Sequence, residues 1–350
     1  MILLNILLGL LLTVLVILLP GALLAQALLA DRDREKRGLD SVEWLTWSLA
    51  YGIAGVGSIS FILVAFLGVF TRIFVSVWLL LGVSMVLSAL LAAWLWWLHG
   101  QPVFGQLAKR FLSAVTWKKL VRTAPLSRWV LVLGIAVLAI YLLNFNRQAF
   151  DEERCLIRAA VLPVHNYLSA DTPMSWMLPE NAVVNNAFLH WNGGQRLGSA
   201  LFSGLTLSLF GFSGFRIAYA LTGLLIFLGS FLAAREVTGR PGASLFGAAA
   251  LALSPYLLQI DVFDENLLAC AVSALAIPLL LRRPRDIIGA AALVALLVGV
   301  RHVAVLWYPA IVAHLWLTGR KGRKGGMELA LFGIMSLLFL SPYIYKHARD

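Results

Sequence analysis

The sequence predicts an all-α polytopic membrane protein. Of its 350 residues, 61% are hydrophobic and only 13% carry a charge, which is more apolar than the core of a soluble domain requires. The hydrophobic residues also fall into runs that are long enough to cross roughly 30 Å of hydrocarbon as helices. Several of the 12 tryptophans lie near the ends of these runs, where amphipathic rings favour the lipid headgroup layer.

The apolar runs predict about ten membrane spans. Pro20-Gly21 interrupts the first run and predicts a kink there, because proline cannot donate a backbone hydrogen bond within a helix. Several of the later runs are short. The predicted spans are 2–29, 44–70, 73–97, 128–146, 215–234, 241–260, 266–281, 287–300, 303–317 and 327–341.

Basic residues between the runs predict which helix ends face the cytoplasm. The chain has 28 Lys and Arg against 17 Asp and Glu, and most of the basic residues fall into five short segments. The positive-inside rule places such segments on the cytoplasmic side. They form no single basic stripe with interleaved aromatic residues, which argues against nucleic acid as a partner and leaves membrane lipids. The five segments are 31–43, 98–128, 235–240, 282–286 and 318–326.

The charge pattern also predicts the domain organisation. Residues 1–100 form an N-terminal three-span membrane extension, and residues 101–127 form a basic, amphipathic connector on the cytoplasmic surface. The core, 128–350, contains a long first extracytoplasmic loop at 147–214 that carries short interfacial helices. Within this loop, residues 197–212 are apolar enough to be counted as a span. Counting them as one would place the later basic segments on the extracytoplasmic side, against the positive-inside rule. We therefore expect them to lie in the outer interface.

An acidic cluster at Asp151, Glu152 and Glu153 directly follows the fourth span. A carboxylate in lipid costs several kcal/mol, so such a cluster is either kept in water or retained for chemistry. One interpretation is a solvated helix start, where acidic residues favour the positive end of the helix dipole. The other uses Arg154 and Arg158, which would lie on the same helix face as Asp151 and pair a carboxylate with a phosphate-binding guanidinium.

A second acidic set, Asp261, Asp264 and Glu265, lies in a short loop that the same topology places outside. Carboxylates from two loops could share a divalent cation through oxygen ligands, and such ligands suit Mg²⁺ or Mn²⁺. Asp151, Glu152 and Asp264 are the candidate metal ligands. The alternative is an ordinary polar turn between two spans.

Arg301-His302 interrupts an otherwise continuous apolar stretch and is also predicted to lie on the outer side. The planar donor fork of an arginine suits a phosphate or pyrophosphate, although a hairpin whose arginine reaches the headgroups is an alternative. In the long loop, His190, Trp191 and Arg196 belong to a polar, glycine-containing cluster that could cover an acceptor.

Three short motifs, taken in order, resemble the GT-C glycosyltransferases. They are FDE at 150–152, directly after a span; LFGFSGFRI at 209–217, leading into a span; and AAALALSP at 248–255, before the second acidic loop. Within this superfamily the chain is most similar to the branch of protein O-mannosyltransferases and aminoarabinose transferases. The resemblance covers roughly 128–320 and rests on the order and spacing of the motifs.

This resemblance implies a GT-C-like helical bundle in a bacterial inner membrane, with its active site on the extracytoplasmic side. It implies an inverting transfer of a sugar from a polyprenyl-phosphate carrier to a lipid, glycan or protein acceptor. Asp151 matches the catalytic base and Glu152 the acid that follows it, while Arg216 matches the motif arginine and Asp264 is a looser match. Compared with that branch, we expect the core to lack the later spans and the C-terminal domain.

Two other functions remain open from the sequence. A polytopic transporter would also hold ionisable residues within its membrane helices, although such charges are then expected near the middle of the bilayer and between internal repeats. A non-catalytic membrane protein that binds a lipid carrier is the second alternative.

Overall fold

A computed structural model of the chain describes residues 2–34, 41–70, 77–99, 105, 125–144, 214–259, 265–282, 286–318 and 323–349. All regular structure within these ranges is helical, which confirms the all-α class. Among the described residues, 4 segments are long and apolar enough to cross a membrane, so the chain is a helical membrane protein. The number of about ten spans stays a prediction. The four segments are Leu7–Leu28, Trp78–Leu98, Tyr219–Thr238 and Pro241–Leu258.

The helices lie where the apolar runs predicted them. The predicted run 241–260 is divided into two helices before Pro255, because proline disfavours a helical conformation in the residue that precedes it. The helices are α1 (Ile2–Thr13), a π turn (Val14–Leu18), α2 (Leu19–Arg34), α3 (Ser41–Phe70), α4 (Val77–His99), α5 (Pro125–Asn144), α6 (Gly214–Thr238), α7 (Pro241–Ala252), α8 (Pro255–Gln259), α9 (Glu265–Leu281), α10 (Ile287–Val300), a 3₁₀ turn (His302–Leu306), α11 (Trp307–Thr318) and α12 (Arg323–Arg349).

The interruption expected at Pro20-Gly21 takes the form of a π turn just before the proline. The Leu19 N–H donates to the Val14 carbonyl, five residues earlier, so this turn contains one residue more than an α-helical turn. Because Pro20 has no N–H and its ring crowds the preceding turn, the hydrogen-bond ladder rearranges at this point. The helix then continues as α2.

Two glycines allow α2 and α3 to cross in direct backbone contact. A Cβ on Gly21 would collide with the Ser48 carbonyl oxygen, and a Cβ on Gly52 would collide with the Ile17 carbonyl oxygen. Small residues at such crossings are typical of membrane helices, where close packing replaces the hydrophobic effect as the driving force for association.

The centre of the bundle is α10, whose residues are all apolar or glycine and, apart from Ile288, all buried. It packs against α9, α12 and α3, while α6 packs against α5, α7 and α9. Since α3 belongs to the predicted N-terminal extension, that extension packs directly on the core helices. The boundary at 101–127 falls almost wholly outside the described residues and stays a prediction.

The bundle has two polar ends, which we call the inner end and the outer end after the topology that the sequence predicts. The inner end contains Glu43, Arg235 and Arg282, and the outer end contains Asn144 and Tyr219. Tyr219 and Arg235 both lie on α6, sixteen residues apart, which corresponds to about 24 Å along a helix. The inner end joins helix ends that border three of the predicted cytoplasmic segments, 31–43, 235–240 and 282–286.

Candidate functional site

A hydrogen-bonded cluster at the outer end joins α5, α6 and α8. The Asn144 Nδ2 atom is 2.6 Å from the Leu258 carbonyl oxygen and 3.2 Å from the Tyr219 Oη atom. One turn earlier on α5, the Tyr141 hydroxyl donates to the Ala252 carbonyl oxygen at 2.9 Å. These contacts connect segments that are far apart in the sequence.

The aromatic part of this cluster is buried and closely packed. The Tyr141 and Tyr219 rings lie with their centroids 4.9 Å apart, and both residues are buried. Gly223 faces the Tyr141 ring, and a Cβ at this position would lie 2.7 Å from ring atoms. Glycine at 223 therefore allows α5 and α6 to approach closely enough for the hydroxyl of Tyr141 to reach α7.

The cluster lies where the chain enters and leaves the predicted outer loops. Asn144 is the last residue of α5, after which the chain continues into the segment that contains Asp151. Tyr219 lies near the start of α6, where the chain returns. Leu258 lies in α8, three residues before Asp261. The cluster thus brings together the helix ends that border both acidic segments.

Arg301 marks the helix break that the sequence predicts. It ends α10 in an extended conformation with φ −143° and ψ 112°, and its N–H donates to the Leu297 carbonyl oxygen at 2.8 Å. Its side chain is half-buried. A 3₁₀ turn follows from His302, of which only the backbone is described. The break is confirmed, and the assignment of Arg301 and His302 to a phosphate stays a prediction.

The remaining residues of the predicted site are not positioned as a group by the described structure. Arg216 lies in the first turn of α6 and Glu265 begins α9, with only their backbones described. The others fall outside the described residues: Asp151, Glu152, Arg154, Arg158, His190, Trp191, Arg196, Asp261 and Asp264. Their roles stay predictions.

The predicted cation site can be compared with the described residues only in part. No group of three His, Cys, Asp or Glu side chains that could hold a metal occurs within the described ranges. All three candidate ligands, Asp151, Glu152 and Asp264, lie outside those ranges, so the prediction of Mg²⁺ or Mn²⁺ stands as it was made.

Sequence reasoning missed the polar cluster at the outer end. Tyr141 and Asn144 are three residues apart at the end of an apolar span, so they share one helix face. That spacing is the signal that could have indicated a polar contact there. It could not have identified the partners, because Tyr219 and Leu258 belong to distant segments.

Sequence reasoning also treated the arginines of the inner end as loop charges, and the structure places two of them in contacts within the bundle. Arg282 is only 2% exposed, donates to the Tyr51 hydroxyl and to the Leu28 carbonyl oxygen, and lies over the Trp47 ring at 5.2 Å. Trp47 and Tyr51 are four residues apart on α3, which puts both on the helix face that Arg282 contacts.

Arg235 forms an ion pair with Glu43 at the same end. The Arg235 Nη1 atom lies 2.8 Å from the Glu43 Oε2 atom, in a contact that is not aligned as a hydrogen bond. The Glu43 side chain is 8% exposed and the Arg235 side chain 31%. The pair therefore joins the start of α3 to the end of α6 at the rim of the inner end.

No protein-family model, no curated protein and no solved structure matches this chain. The likeness to GT-C glycosyltransferases accordingly rests on the three sequence motifs.

Proposed function

We propose that the chain is a membrane glycosyltransferase. It transfers a sugar from a polyprenyl-phosphate donor to an acceptor on the extracytoplasmic face of a bacterial inner membrane, with inversion at the anomeric carbon. The observation that carries the proposal is the contact of Asn144 with both Tyr219 and Leu258. It supports the proposal because it joins the helix ends from which the two acidic segments depart.

The chemistry assigns Asp151 as the general base. An acceptor hydroxyl is a poor nucleophile near neutral pH, so a positioned carboxylate must take its proton as the oxygen attacks. The new bond forms between the acceptor oxygen and the anomeric carbon, while the bond from that carbon to the carrier phosphate breaks on the opposite face. Glu152, the next residue in the sequence, is the second carboxylate of the proposed site.

The leaving polyprenyl phosphate requires positive charge around its oxygens. Arg301 supports this role because its half-buried side chain lies at the helix break that ends α10. An arginine in such surroundings favours an anionic partner. Arg154, Arg158, Arg216 and His302 are the further candidates for the same phosphate.

The acceptor and the cation complete the proposal. His190, Trp191 and Arg196 lie in the long loop and are assigned to the acceptor, which is a lipid, a glycan or a protein. A divalent cation held by Asp151, Glu152 and Asp264 would offset the charge of the phosphate, as Mg²⁺ commonly does with carboxylates and phosphate oxygens. This ligand set is made of oxygen atoms, which suits Mg²⁺ or Mn²⁺.

The test replaces one carboxylate at a time. Membranes containing the parent chain, Asp151→Asn or Glu153→Gln are incubated with radiolabelled polyprenyl-phosphate mannose, glucose or aminoarabinose, and release of polyprenyl phosphate is measured. We expect Asp151→Asn to lower the rate by about 10²–10⁴, the usual contribution of a general base. Glu153→Gln is the matched control, because Glu153 follows the FDE motif at 150–152 without belonging to it, and it should retain the parent rate.

Full activity of Asp151→Asn would rule out the assignment of the base. Binding of the donor by the parent chain without any turnover would favour the non-catalytic carrier-binding protein. Movement of the intact donor across sealed vesicles would favour the transporter.

A further inference from the structure

Asn144 makes the outermost of the described contacts that tie α5 to α6 and α8. Its Nδ2 atom faces the Leu258 carbonyl oxygen and the Tyr219 hydroxyl. A backbone carbonyl oxygen only accepts hydrogen bonds, so the atom that faces Leu258 must be the amide nitrogen. Both N–H groups of this one amide therefore point at neighbouring segments.

The layer beneath Asn144 explains why this amide has a defined geometry. Tyr141 is buried against Tyr219 and bonds to the Ala252 carbonyl, so the ring and hydroxyl fix the last turn of α5 against α6 and α7. A side chain at 144, one turn later, is then aimed at the Tyr219 hydroxyl and at α8. The contacts of Tyr141 hold α5 against α6 and α7. The contacts of Asn144 hold the outer ends of α5, α6 and α8 together.

We propose that Asn144 is a positioning residue for the transfer reaction, an inference that rests on the proposed function. By holding the ends of α5, α6 and α8 together, it sets the spacing of the points at which both acidic segments leave the bundle. Asp151 follows Asn144 by seven residues, and Asp261 follows Leu258 by three. Transfer is sensitive to this spacing, because a misplacement of 1 Å in a reacting geometry costs about 10²-fold in rate.

The experiment replaces the donating amide by a group of the same shape. Asn144→Asp keeps the side-chain volume, but an ionised carboxylate has no hydrogen to donate and would face the Leu258 carbonyl oxygen. Asn144→Ser, which is too short to reach Leu258 and adds no charge, serves as the second variant if the aspartate chain does not fold. Asn5→Asp, on α1, is the matched control for the same exchange.

The first readout is a distance that does not depend on catalysis. Leu143 and Tyr256 are exposed at 78% and 76% and lie on α5 and α8 on either side of the contact. Spin labels are attached to cysteines at these two positions, in a chain in which Cys155 and Cys270 are replaced by alanine. We expect Asn144→Asp and Asn144→Ser to broaden and lengthen the distance distribution, while Asn5→Asp leaves it unchanged.

The second readout separates positioning from binding. With a radiolabelled polyprenyl-phosphate hexose that the parent chain turns over, both variants at 144 should lose kcat by about 10²-fold while KM changes little. An unchanged distance distribution overturns the inference, and so does a broadened distribution with the parent kcat. If the parent chain transfers none of the sugars, the proposed function fails and the role in transfer fails with it. The distance measurement still decides whether Asn144 holds the helix ends together.

Discussion

The Arg282 Nη1 atom donates a hydrogen bond of 2.6 Å to the Tyr51 hydroxyl, across 231 residues of sequence. The same guanidinium donates to the Leu28 carbonyl oxygen through Nη2 and lies over the Trp47 ring. One buried arginine directly after α9 therefore contacts the second half of α2 and the first half of α3. Its planar fork allows these contacts to be made at the same time.

We predict that Arg282→Lys destabilises the bundle although it conserves the charge. An ammonium cannot reach the Tyr51 hydroxyl and the Leu28 carbonyl in the same planar arrangement, and a lost hydrogen bond to a charged group costs about 2 kcal/mol. Thermal unfolding of the purified chain in detergent should show a lower midpoint. Arg240→Lys, the same exchange at an exposed position, should have the unfolding midpoint of the parent chain. Equal midpoints for the two variants would contradict the prediction.

A pair of glycine substitutions tests the crossing of α2 and α3. We predict that Gly21→Ala severely destabilises the protein, because the added methyl group collides with the Ser48 carbonyl oxygen and backbone atoms cannot rotate away. Gly82→Ala is the matched control, since nothing lies within 4 Å of a Cβ built there. In a helix, alanine stabilises by about 0.5–1 kcal/mol relative to glycine. The yield of folded protein and the unfolding midpoint are the measurements, and a normal yield of Gly21→Ala would refute the close crossing.

Cysteine labelling tests which end of the bundle faces the cytoplasm. In a chain without Cys155 and Cys270, we predict that Asp171→Cys reacts with a membrane-impermeant maleimide in intact cells. Arg240→Cys, which is exposed at the inner end next to α6, should react only after permeabilisation. The reason is the excess of lysine and arginine in the segments at that end. Labelling of position 240 in intact cells would invert the topology and with it the side on which sugar transfer is proposed.

The helices could be predicted from the sequence because membrane helices satisfy their own backbone hydrogen bonds and need only a sufficiently long apolar run. The break at Arg301 could be predicted for the same reason, since a charge interrupts such a run. The burial of Arg282 could not be predicted from the sequence. A basic residue at the end of a span usually reaches the headgroups, and its partners Tyr51 and Leu28 come from helices that only the folded bundle brings near.

In the candidate site, too, some residues could be predicted from the sequence and others could not. Asp151 and Asp261 could be proposed from their places after apolar runs, because charges at such places are unusual in a membrane protein. The contacts of Asn144 could not be proposed, because an amide at the end of a span has many possible partners. Only the packing of Tyr141 against Tyr219, which Gly223 permits, selects Leu258 and Tyr219 among them.

The contacts at the two ends of α6 bear on how the protein responds to bilayers of different thickness. Tyr219 is held by Asn144 at one end, and Arg235 is held by Glu43 at the other. A helix without such contacts adjusts to a thinner bilayer by tilting or sliding. Because α6 cannot slide by one turn without losing both contacts, we expect the surrounding lipid, rather than this helix, to deform where the two thicknesses differ.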